Sequence, residues 1–278
     1  MRRGAWRWTA ARPAGLTSLA VLLVLLGAAI AAPLLARYAP EVMTVGAELA
    51  GPSPAHPFGT DEYGRDLLSR TLYGLRVAFL VGGLALLMGG SSGTALGLVS
   101  GFRGGATEAF VMRVVDGLLA FPALLMGIAV AAALGPGLRS VAITIAVVQL
   151  PVFARLAHGM ALGQRRQDYV LAAVAIGASP ARVMIQHVLR NSVPPLLVQA
   201  ALAMGFSVLI EASLSFLGLG IVAPEQSLGA LLAASRSTMR HAFWYPLFPG
   251  AVLTLLLFAL NGFADLLNDL LSGDRRSR

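Results

Sequence analysis

The 278-residue chain has no cysteine and no lysine, and only 12% of its residues are charged. Without cysteine there is no disulfide, no thiolate nucleophile and no Cys-ligated metal. The four histidines (His56, His158, His187, His241) lie far apart in sequence and include no i,i+4 pair, which argues against a histidine metal motif. No G-x-x-x-x-G-K-[ST] phosphate loop is present, so nucleotide hydrolysis is not expected of this chain. Internal repeats, low-complexity tracts and a separate soluble domain are also missing. Soluble domains carry about 25% charged residues, so the scarcity of charge already excludes that class.

What is present is apolar: 57% of the residues are hydrophobic and the mean hydropathy is +0.76. All 21 basic residues are Arg, which is read as genomic bias. The formal charge of +8 follows the connections between apolar runs; a nucleic-acid binder would gather it on one soluble face. About 20 apolar residues cross the hydrocarbon layer. Six stretches qualify: about 16–35, 77–99, 114–134, 138–157, 193–214 and 245–267. The first follows Arg2, Arg3, Arg7 and Arg12, but its apolar core exceeds that of a signal peptide and five more runs follow, so cleavage is not expected. With the N-terminus inside, the inner segments hold 14 of the 21 Arg, Arg103, Arg113, Arg155, Arg165, Arg166, Arg182, Arg190, Arg275, Arg276 and Arg278 among them. The positive-inside rule then puts both termini in the cytoplasm, with 37–76 outside. Gly93-x-x-x-Gly97 reads as packing within the chain. Pro122 and Pro151 are expected to kink the third and fourth spans.

Between the fourth and fifth spans lies DYVLAAVAIGASPARVMIQHVLRNSVPP, Asp168 to Pro195. Arg165, Arg166, Asp168, Arg182, His187 and Arg190 exclude it from the bilayer, yet its pattern is helical. Asp168 suits the positive end of a helix dipole. Gly177 suits a left-handed C′ position, Ser179 an N-cap and Pro180 the first turn of a second helix. Val183, Val188 and Leu189, with Met184 or Ile185, give that helix an apolar side, and Asn191 with Pro194-Pro195 is expected to end it. A lipid-seeking helix would show large apolar residues backed by Arg. Ala172, Ala173, Ala175 and Gly177 form a small knob that suits a groove on a protein.

This segment resembles the "EAA" loop of ATP-binding-cassette importer permeases, reading Leu171-Ala172-Ala173, then Gly177, then His187-Val188-Leu189-Arg190. The block His56-Pro57-Phe58-Gly59-Thr60-Asp61-Glu62-Tyr63-Gly64-Arg65-Asp66-Leu67-Leu68-Ser69-Arg70 resembles the "HP-GTD--GRD--SR" motif of the C-type permease subunit of oligopeptide, dipeptide and nickel importers. Glu211-Ala212-Ser213-Leu214-Ser215-Phe216-Leu217-Gly218-Leu219-Gly220 matches the same family's "EASLSFLGLG". Leu171 stands where the loop usually has Glu, Val174 where Arg is common, Arg190 where Pro is usual and Leu228 where Trp is often found.

The resemblance implies an all-α, six-span membrane protein of the type I importer permease fold, with residues 1–75 as tail, first span and external loop and 76–278 as a five-helix core. A coupling loop over 164–192 would seat Asp168, Tyr169, Leu171, Ala172, Ala173, Gly177, Ala178 and Ser179 in a cleft of a cytoplasmic ATPase. Glu211, Ser215 and Phe216 fall in the family's outer-gate region. In the external loop, Asp61, Gly64, Arg65 and Asp66 either meet a substrate-binding protein or satisfy one another, with Asp66 and Arg70 paired at i,i+4. Glu211 is expected near the outer boundary, snorkelling or paired with backbone, and Asp265 and Asp269 are read as structural. The implied partners are a second homologous permease, two ATPases that carry ATP and Mg, an extracytoplasmic binding protein and the bacterial inner membrane. The chain itself would bind no cofactor and catalyse no reaction. Di- or oligopeptides are the expected cargo, nickel or another small solute the alternative. A secondary transporter would want buried ion-binding carboxylates or a repeated half.

Overall fold

The computed structural model describes residues 13–273; the expectations for Arg2, Arg3, Arg7, Arg12, Arg275, Arg276 and Arg278 lie outside the described residues. Helix α1 spans Pro13–Ile30 and a short turn α2 Ala32–Leu35. After an irregular segment, α3 (Leu67–Ala85) passes through a π-helical turn, Leu86–Gly90, into α4 (Ser91–Arg103). Then come α5 (Gly105–Leu119), α6 (Ala123–Leu134), α7 (Leu138–Arg165) and α8 (Asp168–Ala175). The turn α9 (Pro180–Val183) runs through a second π turn, Met184–Leu189, into α10 (Arg190–Phe216). Helices α11 (Leu228–Ala234) and α12 (Trp244–Gly273) complete the described residues. Among the described residues there is no strand, only one isolated bridge between Thr60 and Asp66.

Five segments are long and apolar enough to cross a membrane: α1, Leu67–Arg103, α7, Pro180–Phe216 and Trp244–Leu271. The pair α5–α6 makes a sixth, bent by 94°. The kink expected at Pro122 in the third span is thus a sharp corner, and the helical segment begins at Gly105, earlier than the expected 114. Pro122 lacks an N–H and disfavours helix at Phe121, so the chain turns extended (ψ 126°) and restarts. Pro151 does not interrupt α7. Nor do Pro194-Pro195 end the helix begun at Pro180, contrary to expectation. Just upstream the chain takes a π turn, and Asn191 and Ser192 bond back to the carbonyls of His187 (2.9 Å) and Val188 (2.8 Å). At 1.5 Å per residue, the two 37-residue helices reach about 55 Å, well past the ~30 Å core.

Packing divides into layers. Val77, Val81, Ala85, Ala131, Ile145, Ile210 and Leu214 join α3, α6, α7 and α10. Leu22, Leu25 and Ala29 of α1 pack on α3, α10 and α12 through Leu75, Val208 and Leu256. The closest contact is α4 on α7. A methyl group at Gly97 would lie 2.8 Å from Ala157 Cβ, one at Gly93 2.9 Å from Phe153 Cβ and one at Gly101 2.8 Å from Ala161 Cβ. Gly89 meets the Ala146 backbone in the same way. The Gly93/Gly97 pattern is thus intramolecular packing, extended one turn in each direction.

Gly97→Leu should lower the thermal midpoint of the purified protein, since overpacking costs about 1–3 kcal/mol. Gly159→Leu, where no atom lies within 4 Å of the new Cβ, should leave it unchanged; tryptophan-fluorescence melts of both variants check this.

Candidate coupling surface and outer latch

Helix α8 starts at Asp168, and Gly177 ends it with φ +84°, the left-handed geometry that glycine tolerates without strain. Ser179 caps α9 by accepting from Arg182 N–H at 3.4 Å. One face of α8 is an anchor: Val170 and Ala173 pack with Val183, Phe102 and Ala178. The other face is bare, with Leu171 55% and Ile176 87% exposed beside Val174, Ala172 and Ala175. The small-residue knob is corrected in detail, since Ala173 points inward and larger apolar residues protrude between the alanines. The helix period puts positions 170 and 173 on one side and 171, 172 and 175 on the other, with 174 at the edge.

Tyr169 fastens α8 to two spans. Its hydroxyl lies 3.0 Å from the Gln164 carboxamide at the end of α7 and accepts from Asn191 Nδ2 of α10 at 3.1 Å. Its ring centroid is 6.1 Å from that of His187. Phe102 of α4 supplies the third attachment. Of the apolar side expected after Ser179, Val183 and Val188 are buried, Met184 is half-buried and Ile185 is exposed.

At the opposite end, the segment before α3 is organised around Asp61, which is fully buried. Its carboxylate accepts from the Tyr63 N–H (2.8 Å), the Arg65 N–H (2.9 Å), Arg65 Nε (2.6 Å) and Arg70 Nη1. Gly64, at φ +66°, closes the turn against the Gly46 carbonyl, where a side chain has no room. Asp66 does not pair with Arg70. It stands before the first turn of α3 as its N-cap, accepting from Ser69 N–H and Oγ at 2.8 Å, and His56 Nδ1 lies 2.9 Å away. The i,i+4 rule applies to two residues within a helix, which Asp66 is not. Arg70 instead crosses to Gln226, donating from Nε at 2.9 Å.

Next to Gln226 is Ser227, which donates to Glu211 Oε1 at 2.7 Å; Ser215 donates to the same oxygen at 2.8 Å. Glu211 therefore neither snorkels nor pairs with backbone: it is buried at the joint of α10 and α11 between two hydroxyls. Ser215 Oγ also accepts from Ile221 N–H at 3.1 Å, folding the chain after Phe216 back onto its helix. Of Glu211, Ser215 and Phe216, only Phe216 reaches the surface, with the Arg236 guanidinium 5.2 Å from its ring centroid.

Residues 93–277 match the family described as "Binding-protein-dependent transport system inner membrane component". The chain belongs to this family. A probable D,D-dipeptide transport system permease protein of Escherichia coli (strain K12) is 42% identical over 93% of this chain and 87% of its own length. A dipeptide transport system permease protein of Alkalihalophilus pseudofirmus is 39% identical over 90% of this chain and 82% of its own. In structure, the chain is similar to one from the MetNI methionine ABC transporter, with a TM-score of 0.57 at 18% identity over 74% of this chain and 96% of that one. That likeness concerns the fold, an α-helical multi-pass permease.

Several of the permease's polar contacts had no signal in the sequence, because their partners come together only on folding. These are Arg70 with Gln226, Ser227 with Glu211, His158 Nε2 with Glu108 at 2.9 Å and Arg155 with Asp116. Asp265 is exposed on α12.

Asp61→Asn should destabilise the permease by about 3–5 kcal/mol, because it strands Arg65 and Arg70 at a largely buried site. The variant should show a lower yield and an earlier melting transition than Glu41→Gln, a surface control on the same loop.

Proposed function

We propose that this permease is the membrane-spanning subunit of an ATP-driven importer of short peptides, and that α8 is the helix through which a cytoplasmic ATPase drives it. The observation carrying this reading is the two-sidedness of α8: a bare apolar face outward, and a seat that ties it to α4, α7 and α10 through Phe102, Gln164 and Asn191. A short rigid helix held at three points transmits a displacement instead of absorbing it. Peptide cargo is favoured by the relatives at 39–42% identity, whose names specify dipeptides.

The α8 end is cytoplasmic in this reading, as are both termini, in keeping with the arginine distribution. Leu171, Ala172, Val174 and Ile176 would enter a cleft of the ATPase, with Gly177 and Ser179 setting the angle between α8 and α9. The partners would be a second homologous permease, two ATPases that bind ATP and Mg, and an extracytoplasmic binding protein that delivers cargo at the Asp61 end. This chain would bind no nucleotide. Closure of the two ATPases would move α8, and the attached helices would shift the exposed side of the pathway. Glu211 and Ser215 then serve as a joint of the outer gate, with Phe216 at its surface.

Replacing exposed side chains separates docking from folding. Ile176→Asp and Leu171→Asp should leave insertion and yield intact but reduce ATP-driven peptide uptake more than about tenfold, as expected for anchor residues of an interface. Gly177→Asp, which strains the +84° turn, should act alike. Wild-type uptake by all three, measured in vesicles with the partner subunits, would remove the coupling role of α8.

A further inference from the structure

Helices α7, α10 and α12 enclose a groove of about 440 Å³ at membrane depth, and its lining includes three carboxamides, Gln149, Gln199 and Asn261, and no charged residue. Their levels agree. Gln149 donates to the Ala203 carbonyl (2.9 Å) and Ser207 Oγ (3.3 Å) on α10. Gly205, between those two positions, packs against Leu260, the neighbour of Asn261. Gln199 lies about one turn further along α10. Phe206, Leu202 and Leu257 supply the apolar part of the wall.

The three amides are not spent equally. Gln149 uses its N–H groups to hold α7 to α10, which is ordinary interhelical bonding. Asn261 makes a single local bond, from Nδ2 to the Leu257 carbonyl at 2.9 Å. Among the described residues, Gln199 has no hydrogen-bond partner. A carboxamide facing hydrocarbon with its bonds unmade is costly. A groove with two such groups, mostly apolar walls and no charge has the composition of a small-molecule site.

We infer that this groove is a station on the transport path, where Gln199 and Asn261 hydrogen-bond the neutral amide groups of the passing solute. The inference rests on the proposed peptide-import function and adds the residues and the recognition chemistry. Each carboxamide offers both donor and acceptor, as a peptide bond does. The absence of charge in the wall suits a site that must release cargo of varied side chains.

The test uses the importer assembled with its partner permease, ATPases and binding protein in proteoliposomes, with radiolabelled dialanine as the probe. The double variant Gln199→Leu/Asn261→Leu should cut uptake about tenfold or more, the loss expected when two hydrogen bonds to the solute are removed. ATPase stimulation by the loaded binding protein should persist, which distinguishes the result from misassembly. The cysteine-free chain allows a second readout. The thiol of Gln199→Cys should react with a membrane-impermeant methanethiosulfonate, with dialanine protecting it, whereas Leu197→Cys should stay silent. Full uptake by the double variant, or a position-199 thiol that is silent in every nucleotide state because lipid or a second permease covers it, would overturn the inference. Wild-type vesicles that import no dialanine would count against the peptide-import function itself, and labelling with its protection would still decide on the groove.

Discussion

The close approach of α4 to α7 is the constraint on which the rest of the structure depends. In a bilayer no water drives helices together, so association depends on dispersion contacts and backbone proximity, and both need small residues. Gly89, Gly93, Gly97 and Gly101 recur every four residues, and each meets the backbone or a small side chain of α7. Contacts repeated over three turns fix both the rotation and the vertical register of one helix against the other. As a result the C-terminal ends of α4 and α7 arrive together, with Phe102 on one and Gln164 on the other. Those are two of the three attachments of α8. The exposed face of α8 is therefore aimed by a glycine row more than 60 residues away in sequence.

The two ends of the bundle are held by different physics. At the Asp61 end, a fully buried carboxylate collects two arginines and two backbone N–H groups, and Arg70 carries the network to Gln226. Removing one partner from such a cluster leaves an uncompensated buried charge, so it tolerates little rearrangement. At the α8 end the ties are apolar contacts and neutral hydrogen bonds, worth about 1 kcal/mol each.

Much of this was legible in the sequence, for identifiable reasons. Five of the six spans follow from apolar run length, and the turn at Gly177 and the cap at Ser179 follow from local backbone chemistry that tertiary contacts did not override. Proline was the weak signal. Pro122 breaks its span, while Pro151, Pro194 and Pro195 sit inside continuous helices. The charged external motif was recognisable as a block, but its pairing was not, because Asp66 is taken by the α3 cap and Arg70 is freed to cross 156 residues to Gln226. Burial of Glu211 between two serines has the same cause: Ser227 reaches it only when the chain after Phe216 folds back.

The bent pair α5–α6 is the exception to this tight construction, and its attachments say why. Helix α5 buries one residue, Val115. What else ties it to α7 is ionic: Arg155 with Asp116, both side chains half-exposed, and His158 with Glu108 at 2.9 Å. An exposed pair such as Arg155–Asp116 contributes about 0–1 kcal/mol. A displacement entering at α8 would thus carry α4, α7 and α10 as a unit, because their mutual contacts are the costly ones to break. The contacts of α5, which ends just before the 94° corner at Pro122, would be the cheap ones to break.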